Sequence, residues 1–388
     1  MPNCSSINVE SLRIAVILGT RPEIVKLAPV IREGIYRDID HFVIHTGQHY
    51  DREMSESFFE DLELPPPDYQ LHVGSGTHAA QTAKALEKIE EVLIREHPSL
   101  VLVQGDTNTT LAGALASVKL GIPVAHVEAG LRSYDLRMPE EFNRRLTDHL
   151  SSILFAPTKT AVRILRKEDV WGSVYLTGNT VIDACEQHIP LAMRKSRIMS
   201  EIGFNEFCLA TVHRKENVDD PVVLKNFVDA FKYSPLPVVI PLHPRTKKRL
   251  EEYGLLPELK NSSNVKLLPS LGYLDFLRLM VECKLILTDS GGVQEEATSP
   301  SIRKRVLVLR LSTDRPEAIK AGYGKLVGVD SESILAEIER YLEDPTLPTS
   351  PSPYGDGKAA KRIVDIIETK PIPELGILRE RLDRMLRG

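Results

Sequence analysis

Acidic, basic and imidazole side chains gather at the ends of short apolar runs along this chain. Gly105-Asp106-Thr107 follows one run, Glu128 follows another, and Glu140-Glu141 open the segment after Met138-Pro139. Three carboxylates crowded on one sheet edge push each other's pKa apart, which suits one to take a proton and another to give it. Plainer readings stand beside this one. Asp106 reads as a helix cap, and Glu140 or Glu141 as an acid in a first helical turn. Glu128, straight after a buried run, is harder to explain as a cap. His213-Arg214 and His243-Pro244-Arg245 also end apolar runs, where imidazole and guanidinium can grip an anion. Gly19-Thr20-Arg21-Pro22-Glu23, with Lys26 one turn on, reads equally as a tight strand-to-helix turn and as Arg21 and Lys26 facing an anion at a helix start. Ser290-Gly291-Gly292 opens a helix and offers backbone N–H groups to a diphosphate, with Glu296 one turn on for ribose hydroxyls. The G-x-G-x-x-G fingerprint of dinucleotide binding does not follow the first run.

Such residues need a scaffold that delivers them to one edge. Short runs such as Leu100-Val101-Leu102-Val103, Val124-Ala125-His126-Val127 and Leu285-Ile286-Leu287-Thr288 are too short for helices and almost continuously apolar. That pattern belongs to parallel strands covered on both faces. Amphipathic stretches lie between them, among them 79–95, 224–232 and 331–342. Alternation of this kind predicts an α/β fold with two Rossmann-like, doubly wound domains and a ligand cleft between them. The expected boundaries are 1–178 and 179–371, with 372–388 a candidate to pack back on the first domain. The Pro/Ser-rich stretch 344–353 is expected as a loop.

Composition narrows the functions. Lysine and arginine number 49 and aspartate and glutamate 54, a net charge of −5. Such a chain has no global basic field for nucleic acid. No apolar run reaches the ~20 residues of a membrane span. The first six residues, Met1 to Ser6, lack both a basic and an apolar region, so no secretory signal is expected and the cytoplasm is the expected compartment. Cys4, Cys185, Cys208 and Cys283 form no C-x-x-C pair, which disfavours a metal site and a disulfide framework.

In order and spacing these segments resemble the non-hydrolysing UDP-N-acetylglucosamine 2-epimerases. The resemblance rests on Gly19 to Glu23 with Lys26, Thr46-Gly47-Gln48-His49, Gly105-Asp106-Thr107, His126 to Arg132, Pro139-Glu140-Glu141 with Asn143-Arg144, Thr177 to Thr180, Val212-His213-Arg214, Asp289 to Gly292 with Glu295-Glu296, Arg315-Pro316-Glu317 and Pro353 to Gly357. It implies two Rossmann-like domains of the glycosyltransferase-B type, a homodimer, and interconversion of UDP-GlcNAc and UDP-ManNAc without NAD or an essential metal. It places Asp106, Glu128, Glu140 and His213 at catalytic positions, with Lys26 beside them. Arg21, Ser290, Gly291, Gly292, Glu296 and Arg315 would hold the diphosphate and uridine, and Leu271 and Phe276 would meet the uracil. Two segments depart from the family pattern: Leu311-Ser312-Thr313-Asp314 replaces Asp-Thr-Thr-Glu, and Ser301 to Arg305 replaces a shorter Gly-Lys-Pro turn.

The implied chemistry suits the residues. The C2 hydrogen of a GlcNAc unit is not next to a carbonyl, so the route open to these groups breaks the anomeric C–O bond, removes the C2 proton and passes through a 2-acetamidoglucal. Cations must grip the departing diphosphate, and carboxylates must serve both faces of the sugar. Which of Asp106, Glu128 and Glu140 is base, acid or cation stabiliser stays open. Rival readings are a hydrolysing epimerase releasing ManNAc, an epimerase of a modified sugar such as a diacetamido uronate, a glycosyltransferase of the same fold and a UDP-sugar sensor. Leu131-Arg132-Ser133 favours plain UDP-GlcNAc by resemblance. Gln48 and His49 mark a segment where a second, activating nucleotide sugar would bind in some relatives.

Overall fold

The computed structural model describes residues 12–47 and 58–370. The chain divides into two compact units: one runs to Thr180 and resumes at Lys358, the other spans Val181–Gly357.

Seven strands build the first sheet: β1 (Arg13–Leu18), β2 (Asp40–His45), β3 (Tyr69–Gln70), β4 (Leu100–Gln104), β5 (Val124–Val127), β6 (Ile153–Ala156) and β7 (Ser173–Leu176). Their spatial order is β3-β2-β1-β4-β5-β6-β7, every neighbouring pair parallel. The second sheet holds β8 (Cys208–Thr211), β9 (Val238–Pro241), β10 (Val265–Leu268), β11 (Leu285–Thr288), β12 (Val306–Val308) and β13 (Gly324–Leu326), in the order β10-β9-β8-β11-β12-β13. It too is parallel throughout. The expected α/β class with two Rossmann-like units is therefore observed. The connections reverse direction between β1 and β4 in one unit and between β8 and β11 in the other. Strand-end loops diverge at such a switch point, leaving room for a ligand at the carboxyl edge.

Continuous apolarity has the cause expected of it. β4, β5 and β6 are buried at every position because helices cover both faces. The alanine-rich helix Asn108–Lys119 buries Ala112, Gly113, Ala114 and Ala116 and packs closely on helix His78–Glu96. Three strands were not expected. β3, β7 and β13 are edge strands, short and half exposed, so they lack an apolar run to announce them.

The C-terminal boundary also differs from the expected 179–371. Helix Ala359–Thr369 buries Ile363, Val364 and Ile367 and packs on helix Arg21–Tyr36 of the first unit. The Arg37 guanidinium bridges Asp365 at 2.7 Å and Glu368 at 2.6 Å, and Arg362 donates to the Thr177 carbonyl at 3.1 Å. These partners lie far away in sequence, so a reading in chain order assigned the helix to the preceding domain. Residues 372–388, Gln48, His49 and Cys4 lie outside the described residues.

The unexplained Ser301–Arg305 segment has a structural role. Arg303 donates to the Pro348 carbonyl at 2.6 Å and Arg305 to the Thr346 carbonyl at 3.3 Å. Tyr323 adds a bond to the Ser350 carbonyl at 2.7 Å. A proline-rich loop has few N–H donors of its own, so side chains from this segment satisfy its carbonyls.

Candidate active site

In the first unit the loops after β1 and β4 meet across the switch point, and Glu23 joins them. It closes a capping box with Thr20 at the start of helix Arg21–Tyr36. Its buried carboxylate accepts from Gly19 N at 3.1 Å, Thr20 N and Thr20 Oγ1 at 2.7 Å, Thr107 Oγ1 at 2.9 Å and Thr110 Oγ1 at 3.2 Å. Burial pushes the Glu23 carboxyl above its ordinary range, and the Thr20, Thr107, Gly19 and Thr110 donors pull part of that back. Glu23 is thus an internal strut. Gly19 is obligatory for a related reason: a Cβ there would stand 2.2 Å from Thr46 Oγ1 and 2.3 Å from Thr109 Oγ1.

Glu128 follows β5 in the left-handed region, with φ 72°. A non-glycine residue there stores ~1–3 kcal/mol of strain unless its surroundings hold it. Here Glu128 N and Ala129 N both donate to the Phe155 carbonyl at 3.1 Å. The side chain is gripped as well. Lys26 Nζ lies 2.8 Å from Oε1 and 2.6 Å from Oε2, and Gln104 Nε2 donates to Oε2 at 2.5 Å. The anion faced by Lys26 is therefore the protein's own carboxylate.

Asp106 sits one loop away. Thr107, not Asp106, caps helix Asn108–Lys119, accepting from Thr110 N at 3.1 Å. That leaves the Asp106 carboxylate, 34 % exposed, for other work. Arg144 binds its Oδ2, and Asn143 Nδ2 donates to its main-chain carbonyl at 3.0 Å. Glu141, fully buried, holds Arg144 at 3.1 Å and Arg145 at 3.1 Å and accepts from Ser133 N and Oγ at 2.9 Å each. Burial alone would raise the Glu141 pKa, but the Ser133, Arg145 and Arg144 groups outweigh it and hold it low. Glu140, half-buried, lies in the first turn of the same helix, Pro139–Leu150, four residues before Arg144 and so on its face. His126 ties the loops after β4 and β5 together: Nε2 lies 2.8 Å from the Gly105 carbonyl and Nδ1 2.8 Å from Asp148 Oδ1. Asp148 also pairs with Arg132 at 2.7 Å, and Arg132 with Glu168 at 2.6 Å. The Arg132 side chain, 0 % exposed, is engaged inside the protein.

In the second unit His213 follows β8 and Asp289 follows β11. Buried Asp289 accepts from His213 N at 3.0 Å, Arg214 N at 2.9 Å and Asn217 Nδ2 at 3.0 Å, and His213 Nδ1 lies 3.1 Å from its Oδ1. Burial opposes ionisation of Asp289, yet His213, Arg214 and Asn217 together keep its pKa below the ordinary value. The His243 ring is 5.5 Å from that of His213, and burial, then His213, lowers its pKa. Ser290 Oγ caps helix Gly291–Glu296 through Val293 N at 3.5 Å. Arg315 Nε stands 2.5 Å from Glu295 Oε1. The divergent segment is well tied: Thr313 Oγ1 donates to Gln294 Oε1 at 2.8 Å, and Asp314 pairs with Arg310 at 3.0 Å and with Arg214 and Arg315 at 3.5 Å each. Glu296 is half-buried, and its charge adds to the burial that drives the Cys185 thiol far above its ordinary pKa. Leu271 precedes helix Tyr273–Glu282, and half-buried Phe276 lies in its first turn. Arg21 opens its own helix, its guanidinium 5.9 Å from the Phe58 ring centroid.

The structure thus joins Lys26 to Glu128 directly and Asp106 to the Glu140 helix through Asn143 and Arg144. Gln104, Arg144, Asp148 and Asp289 were not singled out as site residues. Asp289 and Arg144 stand inside the motifs given above, and Gln104 directly follows the apolar run Leu100–Val103; Asp148 carries no local signal beyond its polarity. Among the described residues no group of three or more His, Cys, Asp or Glu is placed to hold a metal. No helix among them is long and apolar enough to cross a membrane.

Two parallel α/β units, one bearing caged carboxylates at its switch point and the other a His–Asp pair and a serine-capped glycine turn, define a Rossmann-like α/β protein with polar groups gathered at the carboxyl edge of each sheet. The family model described as UDP-N-acetylglucosamine 2-epimerase matches residues 35–368. The UDP-N-acetylglucosamine 2-epimerase of Methanocaldococcus jannaschii is 46 % identical over 365 residues, covering 92 % of this chain and 99 % of the relative. Its crystal structure in complex with UDP-GlcNAc and UDP has a TM-score of 0.82 at 45 % identity, over 92 % of this chain and 99 % of that one. The Neisseria meningitidis enzyme bound to UDP-GlcNAc matches with a TM-score of 0.82 at 37 % identity, over 92 % and 100 % of the two chains. A Pseudomonas aeruginosa UDP-2,3-diacetamido-2,3-dideoxy-D-glucuronate 2-epimerase is 40 % identical, covering 92 % of this chain and 99 % of the relative. The chain belongs to the UDP-N-acetylglucosamine 2-epimerase family and is an isomerase.

Proposed function

We propose that this enzyme interconverts UDP-GlcNAc and UDP-ManNAc without hydrolysis. The anomeric C–O bond breaks and its electron pair leaves with the β-phosphate oxygen of UDP. The C2 proton passes to a carboxylate, and the C–H electron pair forms the C1=C2 bond of a 2-acetamidoglucal. Protonation at the opposite face of C2 and return of UDP to C1 complete the inversion. Asp106, Glu128 and Glu140 share the proton transfers and the stabilisation of positive charge at C1. His213, Arg315, Arg21 and the Ser290-Gly291-Gly292 turn hold the diphosphate, Glu296 the ribose, and Leu271 and Phe276 the uracil.

The observation that carries this reading is Glu128. A strained backbone at a strand end, with its carboxylate caged by Lys26 and Gln104, is costly to maintain in a merely structural position. The substrates named for the Methanocaldococcus and Neisseria structures support the choice of sugar nucleotide. Arg132 supports the unmodified sugar, because its charge is spent on Asp148 and Glu168 and is not offered to a uronate carboxylate.

Proton NMR of the enzyme with UDP-GlcNAc in deuterium oxide tests the proposal. Deuterium should enter C2 of both nucleotide sugars as UDP-ManNAc accumulates. Free ManNAc would make the enzyme hydrolysing, and an unlabelled C2 would end the elimination route. Asp106→Asn, Glu128→Gln and His213→Ala should each lower turnover by ~100-fold or more while UDP affinity changes far less, with His213→Ala weakening UDP the most of the three.

A further inference from the structure

His213 and Asp289 come from the two strands that flank the switch point of the second sheet, β8 and β11, whose last residues, Thr211 and Thr288, pair in register. Their side chains therefore meet where the sheet opens. Asp289 is fully buried and anchored by three donors besides the ring, so its position is fixed by the fold and not by His213 alone. The imidazole is 34 % exposed, with Nδ1 turned inward to the carboxylate at 3.1 Å. Geometry then places Nε2 on the outer edge of the ring. The charged or titratable groups near it include cations whose acidic partners, Asp314 on Arg214 and Asp219 on Arg245, are already engaged. Arg214 is its chain neighbour, and the His243 ring comes from the loop after β9 with Arg245 beyond it. The His243 Nδ1 accepts from Arg245 N at 3.2 Å, so that ring is held by its own loop and does not compete for Asp289.

We infer that Asp289 is the positioning residue for His213: it holds the proton of the neutral ring on Nδ1 and presents Nε2 to the diphosphate of the nucleotide sugar. A carboxylate behind one ring nitrogen fixes the tautomer and the ring orientation. Nε2 then faces the phosphate oxygen that gains charge as C1–O breaks, where an N–H would stabilise it. The inference deepens the epimerase reading and rests on it for the identity of the phosphate. The tautomer itself is independent of turnover.

The experiment is long-range proton–nitrogen NMR of enzyme labelled at its 11 histidines, with His213 assigned by comparison with His213→Gln. In its neutral form His213 should carry its proton on Nδ1, and addition of UDP should shift its Nε2 resonance. In Asp289→Asn the neutral proton should shift toward Nε2, and kcat should fall ~10–100-fold with UDP affinity within about threefold. A wild-type ring protonated at Nε2 overturns the inference. So does Asp289→Asn with unchanged tautomer and unchanged kcat, or one that loses UDP affinity and melting temperature in step with activity while the tautomer stays put. If that variant does not fold, the wild-type spectrum alone decides. Failure of deuterium exchange at C2 with the expected tautomer intact would strike the epimerase reading and spare the His–Asp pair.

Discussion

Replacing Asp314 by asparagine removes a charge that three arginines share, and its effect can be worked through. Burial alone would raise the Asp314 pKa; Arg315, Arg214 and Arg310 reverse that and bring it down to about 2 from 3.8. A depression of that size corresponds to about 2 kcal/mol of folding stability at neutral pH. The folded value is depressed, so this contribution is complete above the unfolded value and fades as pH falls toward the folded one. At pH 3 roughly half of it should remain. The side chain is 18 % exposed, so solvent screening takes little from the figure. Urea unfolding of both proteins by circular dichroism, at several pH values from 7 to 3, measures the gap between them. It should be about 2 kcal/mol from pH 7 to 5 and should narrow below pH 4. A variant as stable as the parent at pH 7, or a gap that stays constant down to pH 3, would refute the idea that the arginine cluster stabilises an ionised Asp314.

Other substitutions probe the first unit and the proline-rich loop. Gly19→Ala drives a methyl group between Thr46 and Thr109, whose hydroxyls bond each other at 2.8 Å; about 1–3 kcal/mol of stability should go, read as a lower melting temperature with reduced epimerisation. Glu141→Gln keeps the shape but loses the charge that holds Arg144 behind Asp106, so turnover should fall by at least ~10-fold while UDP affinity stays within about threefold, measured by coupled assay and calorimetry. Arg303→Ala frees the Pro348 carbonyl, and limited proteolysis should cut within 344–353 faster than in the parent, with turnover unchanged.

The fold was legible where the physics is local. A strand buried on both faces must be mostly apolar, so β4, β5 and β11 announce themselves. An edge strand such as β7 exposes half its surface and needs no such run, so Ser173–Leu176 passed unread. Helix Ala359–Thr369 shows the limit from another side: its amphipathic pattern was plain, but the Arg37 that holds Glu368 stands 331 residues away.

The site divides in the same way. A carboxylate or imidazole after an apolar run is visible in sequence, because strand ends are where polar groups can reach a ligand. What each group faces is not. Lys26 and Glu128 are 102 residues apart, Asp106 and Arg144 are 38, and His213 and Asp289 are 76. Glu23 and Glu128 make the consequence concrete. Both are buried glutamates at the carboxyl edge of one sheet. Glu23 accepts only from neutral donors, hydroxyls and backbone amides, and burial raises its pKa. Glu128 meets an ammonium group in a strained backbone. A neutral cage suits a strut, because it lets the carboxyl accept bonds whether or not it ionises. A lysine against a strained carboxylate suits proton transfer, because moving the ammonium changes the basicity of the acid at once. Separating the two roles therefore required the partners, which only the folded chain brings together.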